Sequence, residues 1–405
     1  MIDYLKKIIF NYFTIISGKA ISIAFSFVFT FLITDSFNTE NSGIIFVTLS
    51  VIQFLVILSK VGQDQLIVKY NSQKVGSEKL NASIVLVVIL SLALTILFST
   101  IKLLFTEKIN LDISLITILS VTPLSLIWIC VGYFRSLGYQ FAANFSENGL
   151  FYLIFFLLFY SFGKNSNVFL QIFVLSAYVS LFLIIIYARN IGLKCSFQNI
   201  NMRTALNVGV PIMTSSILSF LIMNIPIYFA GYLGMNSDVT FYSVCIKISL
   251  FINLGVAIVN SFYAPKYADA FRHQEFLKLK YLYSKARKEL MIISSIPLIF
   301  IFIYADRIMS VFNVESNQNV ILLVVFSITQ FICLSTGTTG VFLNIVNKER
   351  ALRLNTTIGL LLTLICCLFM PIIGFYGMLI GYSIGVLFEN IASYFSVKKV
   401  LDEKK

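Results

Sequence analysis

Twelve runs of roughly twenty mostly apolar residues recur along the chain, and no other feature restricts its folding as strongly. In a bilayer every backbone N–H and C=O must find its partner inside the segment, so such runs can only be helices. They fall at about 9–33, 42–59, 82–105, 111–134, 142–162, 167–188, 205–231, 239–264, 290–313, 319–346, 352–373 and 376–397. Composition agrees: 58% of the residues are hydrophobic and 12% charged, with a mean hydropathy of +0.91. A soluble domain carries about twice that charged fraction. The expected fold is therefore an all-α integral membrane protein with 12 transmembrane helices and both termini on one side. Lys6 and Lys7 precede the first run and no small-residue cleavage signal follows it, so it reads as a retained span.

The formal net charge of +12 could suit a nucleic-acid partner, but its distribution argues otherwise. With cytoplasmic termini, most lysines and arginines fall in inner loops. Only Lys102, Lys108, Lys164 and Arg307 lie outside, and Lys19 and Lys247 lie within spans. That bias predicts a multi-pass membrane protein with both termini cytoplasmic and no nucleic-acid partner. The single histidine, His273, sits in a charged loop, and the cysteines show no metal-ligand spacing. No metal, cofactor or disulfide is expected.

Six spans on each side of the basic segment "RNIGLKCSFQNINMR" suggest an N-terminal lobe (1–190), a cytoplasmic linker (191–203) and a C-terminal lobe (204–405). "QLIVKYNS" and "FYAPKYAD" echo one another at the ends of the second and eighth spans. A repeat of that kind would be parallel, with substrate handled between the halves near the midplane. The loop "PKYADAFRHQEFLKLKYLYSKARKEL" alternates charges with large apolar residues and predicts an amphipathic helix on the membrane surface. Pro211 and Pro226 flank the seventh span and allow a bend there.

A lysine at a helix centre costs about 2.5 to 3.5 kcal/mol on the insertion scale, so each one within a span needs a reason. Lys19, Ser22, Ser26 and Thr30 fall on one face of the first span, and Thr240, Ser243 and Lys247 repeat the spacing on the eighth. Gln330 and Asn344 extend a polar row along the tenth. Such one-sided stripes predict faces turned to water or a polar ligand, with Lys19 and Lys247 as cationic sites for an anion. Lysine suits a phosphate as a compact point charge. Snorkelling toward the interface is the alternative: Lys19, about 15 Å from the inner end of its span, is too deep for it, whereas Lys247 could half escape. Glu147 and Glu389 are candidate counter-ions or proton carriers. Asp35 marks the outer mouth, and Gln63 with Asp64 the inner end of the second span, as gate or coupling candidates.

"ENSGIIFVTLSVIQFLVILSKVGQDQLIVKY", "YLGMNSDVTFYSVCIKISLF", "APKYADAF" and "LNTTIGLLLTLICCLFMPIIGFYGMLIGYSIG" resemble the polysaccharide flippases of the multidrug/oligosaccharidyl-lipid/polysaccharide (MOP) export superfamily. The similarity runs nearly end to end. It implies two six-helix bundles in a MATE-like V. It also implies an undecaprenyl-pyrophosphate-linked oligosaccharide, of O-antigen or capsule type, as substrate, with membrane lipids and other polysaccharide-assembly proteins as partners. A cation in the first span, here Lys19, would then help bind pyrophosphate; the assignment of Lys247 rests on helix position alone. Two other readings compete. A cation-coupled multidrug exporter of the same fold usually wants a cavity acid, and a membrane polysaccharide polymerase, an enzyme, normally carries a large outer loop that this chain lacks.

Overall fold

A computed structural model describes residues 2–71, 77–105, 111–162, 166–192, 202–314 and 317–403. Most of the expected linker, with Lys194 and Cys195, and the loop cations Lys74, Lys108, Lys164, Lys404 and Lys405 lie outside them. The described residues form helices and short turns, with no strand among them.

The first set comprises α1 (Ile2–Ser36), α2 (Thr39–Lys60), α3 (Gln63–Asn71), α4 (Ser77–Phe105), α5 (Leu111–Ser136), α6 (Gln140–Asn144), a π-helical turn (Phe145–Gly149), α7 (Leu150–Phe162) and α8 (Ser166–Asn190). The second comprises α9 (Met202–Tyr232), α10 (Asn236–Ser249), a 3-10 turn (Leu250–Asn253), α11 (Leu254–Arg272), α12 (Phe276–Val311), α13 (Asn317–Ser335), α14 (Thr339–Ile345), α15 (Glu349–Leu368), α16 (Met370–Ile373) and α17 (Tyr376–Glu403). The order repeats. α2, α4, α6 and α7 begin about 200 residues before α10, α12, α14 and α15, as an internal repeat requires.

Among the described residues, eleven stretches are long and apolar enough to cross a membrane. The twelfth, expected as one helix over 239–264, is instead broken into α10 and α11 at Leu250–Asn253. The expected surface helix is also corrected. Its second half is the start of α12, a 36-residue helix that runs on into a span. Leu279, Leu282, Tyr283, Ala286 and Leu290 bury one face of that start, leaving Leu277 and Tyr281 exposed. A face that can pack on neighbouring helices does so in preference to lying on lipid. α9 passes without interruption through Pro211 and Pro226.

Two compact units emerge, and their borders differ from the expected ones. One holds Met1–Leu32 and Thr48–Ile217, the other Ile33–Val47 and Leu218–Lys405. Local contacts explain both exchanges. In the first unit, Gly209 of α9 lies against the Val61 carbonyl so closely that a β-carbon would overlap it, and Gln63 donates to the Ala205 carbonyl at 3.0 Å. In the second, the α1–α2 hairpin reaches α10: Gly43 lies against the Asn236 carbonyl, and Thr240 donates to the Thr39 carbonyl at 2.6 Å.

Around α5 the first unit's core is mainly aliphatic, with Ile127, Ile129, Val131 and Ile184 buried, whereas between α1, α7 and α8 it is aromatic. Phe29 of α1 meets Tyr152 and Phe155 of α7 at ring separations of 4.7 and 4.9 Å, and Phe169 of α8 at 6.0 Å. Edge and tilted contacts of this kind add about 0.5–1.5 kcal/mol each beyond area burial.

Candidate functional site: a shared carboxylate

The first unit brings Lys19, Glu147 and Arg135 together. Lys19 Nζ donates to both Glu147 oxygens, at 3.0 and 3.1 Å, and Arg135 Nη2 donates to Oε2 at 2.8 Å. Local sequence explains the meeting. α5 stops because Gly138 takes the left-handed conformation (φ 84), which side chains other than glycine adopt at a cost. The chain doubles back as α6, and the π-helical turn carries Glu147 past Arg135, the penultimate residue of α5. α1 can approach because Gly18 leaves only contact distance to Phe141 and Asn144, and Ser22 packs on Gly149. Single π turns of this type recur at functional sites.

Two cations share one carboxylate, leaving one positive charge uncompensated within the cluster. The lysine and arginine side chains remain 31% and 30% exposed, while Glu147 keeps 11%. Exposed cations around a mostly buried carboxylate make a surface that an anion can reach.

The 35 residues of α1 would extend about 52 Å, far more than a hydrocarbon core of about 30 Å. Lys19 therefore need not sit deep: its ammonium shares a carboxylate with the C-terminal end of α5. Arg135 was counted in the sequence as an ordinary loop cation, and only the turn at Gly138 reveals it as part of the cluster.

The polar stripes require correction. Ser22 and Thr30 are buried, and Thr30 donates to the Ser26 carbonyl of its own helix at 3.0 Å. Ser26 is half-buried. On this face small residues let α1 pack closely on the π turn and α7, as small residues do between membrane helices. On α10, Thr240 is buried in its bond to Thr39, and the buried Ser243 hydroxyl has no hydrogen-bond partner among the described residues. Lys247 is half-buried in the last turn of α10, where the helix breaks. It belongs to the second unit, not to the Lys19 cluster. A cation suits the carbonyl end of a half-helix.

Gln330 is not on an open face but buried, accepting from Asn253 Nδ2 at 3.1 Å and donating to the Tyr382 hydroxyl. Tyr242, Phe326 and Tyr382 pack edge-on around that chain. Asn344, by contrast, is exposed on α14. The predicted row is thus split between a buried network and a surface.

Gln63 and Asp64 build a joint. Gln63 accepts from Ser83 at 2.9 Å while its amide holds Ala205, and Asp64 accepts from Lys60 at 3.0 Å. The Lys60 ammonium also lies 4.2 Å from the centre of the Trp128 ring. Asp35 is exposed at the end of α1. Glu389 on α17 accepts from Thr356 at 2.8 Å.

No family model and no curated relative matches the sequence. Solved structures do. An outward-facing multidrug resistance MATE family transporter of the MOP superfamily matches with a TM-score of 0.69 at 15% identity, over 97% of this chain and 96% of that one. The fold is that of the MATE transporters. A MATE in the bent conformation gives 0.68 at 16% identity over 96% and 94%, and the Vibrio cholerae MATE transporter VcmN in the bent form gives 0.65 at 13% over 97% and 98%. The MATE fold has twelve spans in two bundles, so α10 and α11 together make the eighth. These neighbours are transporters rather than enzymes.

Proposed function

We propose that this chain is a flippase that carries undecaprenyl-pyrophosphate-linked oligosaccharide repeat units across the bacterial inner membrane by alternating access, its termini on the cytoplasmic side. The carrying observation is the sharing of Glu147 by Lys19 and Arg135. An anion needs a surplus of reachable positive charge, and this cluster supplies one. The motif resemblance noted in the sequence supports the same reading, while the shared fold supports membrane transport of either kind. Lys247 at the helix break would be a second cation for the same substrate.

A second reading has one observation in its favour. Glu389 has no ion pair among the described residues, and an acid of that kind is what an exporter of cationic drugs would use. The neighbour quoted first above is described as a multidrug resistance transporter.

The two readings part in complementation of flippase-null bacteria that make different repeat units. Rescue of surface polysaccharide in at least one strain, lost in Lys19→Ala at unchanged protein level, is the expected result. Rescue of none, together with raised resistance to cationic dyes, would establish drug export instead.

A further inference from the structure

Resting on the flippase reading, we propose that Glu147 is a resident stand-in for the substrate's phosphate, occupying the anion position between Lys19 and Arg135 until a diphosphate displaces it. Its carboxylate makes two charge-assisted hydrogen bonds to the lysine and one to the arginine, the contacts a phosphoryl group would make. The carboxylate is tethered to a π-helical turn, a segment one residue out of register with the helices on either side. The two cations come from different helices, α1 and α5, and keep nearly a third of their side-chain surface open.

That arrangement has a physical purpose. Two cations a few ångströms apart on a partly buried face repel each other and would hold a diphosphate too tightly to release it. A tethered carboxylate relieves the repulsion in the empty site and competes with the ligand in the filled one. Glu147 therefore sets the affinity of the site: strong enough to select a diphosphate over a single phosphodiester, weak enough to let it leave on the far side.

Binding of inorganic pyrophosphate to the purified full-length protein in detergent tests this without requiring transport. Glu147→Gln should tighten binding about fivefold, the upper end of what one charged contact among partly exposed groups contributes. Adding Lys19→Gln or Arg135→Gln in that background should reverse the gain. Because an unpaired Lys19–Arg135 pair could unfold the chain, Glu147→Asp, which keeps the charge on a shorter arm, should give an intermediate affinity. Phosphatidylglycerol, with one phosphodiester, should displace pyrophosphate poorly; equal displacement would overturn the assignment to a diphosphate. Pyrophosphate affinity unchanged in Glu147→Gln and Glu147→Asp would overturn the stand-in role. If these variants respond as expected while no flippase-null strain is rescued, the anion site stands and the oligosaccharide reading fails.

Discussion

The two helix sets repeat one order of elements, yet they hold their matching joints by different chemistry. In the first, the turn after α5 is bound by charge through Lys19, Glu147 and Arg135, and a separate Lys60–Asp64 ion pair sits at the α2–α3 joint. About 200 residues on, the second set has Ser215 and Ser216, Leu334 and Val346 where the first has Lys19, Arg135 and Glu147. Its turn after α13 shows no ion pair among the described residues. Tyr283 donates to the Thr336 carbonyl at 2.6 Å, and the Tyr267 and Thr338 hydroxyls meet at 3.1 Å. Arg287 donates to the carbonyl of Ser335 at the end of α13 and reaches the Tyr394 hydroxyl at 3.1 Å. Both joints carry a cation, but only the first pairs its cations with a carboxylate among the described residues.

Glycine substitutions should give the largest effects and probe the packing both sets share. Gly209→Ala drives a β-carbon into the Val61 carbonyl, which backbone on both sides holds in place. About 3 kcal/mol of stability should be lost, read as a lower unfolding temperature in detergent. Gly138 and Gly337 then separate the sets, since both adopt positive φ. Gly138 faces open space, and alanine there should cost about 1 kcal/mol. Gly337 also touches Tyr283 and Arg287, so the same change should cost visibly more. Equal losses would mean that the second joint is no tighter than the first.

Next come the polar networks. Gln330→Leu strands Asn253 and Tyr382 and should cost about 2 kcal/mol, independent of salt. Lys19→Met leaves Glu147 still paired with Arg135 and should cost about 1 kcal/mol, a loss that shrinks as salt rises. A salt-dependent Gln330 variant would blur the contrast.

Much of this was legible beforehand. Runs of apolar residues long enough to span a bilayer mark where helices lie, because backbone pairing leaves no alternative. The break at Leu250–Asn253 was not legible, since a 3-10 turn inside an apolar run leaves hydropathy unchanged. The serines and threonines beside Lys19 read as a wet face because composition cannot distinguish a hydroxyl facing water from one bonded to its own helix, as Thr30 is. Lys19 and Glu147 stood out individually as charges near or within spans. That they meet depends on Gly138 turning the chain, and with it on Arg135, which looked like any cation at the end of a span. Unit borders escaped for a similar reason: the contacts of Gly43 and Gly209 are made between segments far apart in sequence.

The most direct test of the central claim is the rate at which the purified protein, reconstituted in liposomes, moves a polyprenyl-diphosphate oligosaccharide between leaflets. The wild-type chain should accelerate that movement over protein-free vesicles, and the Lys19→Ala, Arg135→Ala double variant, folded and inserted, should lose at least about tenfold of the rate. Equal rates for the two proteins would contradict the account.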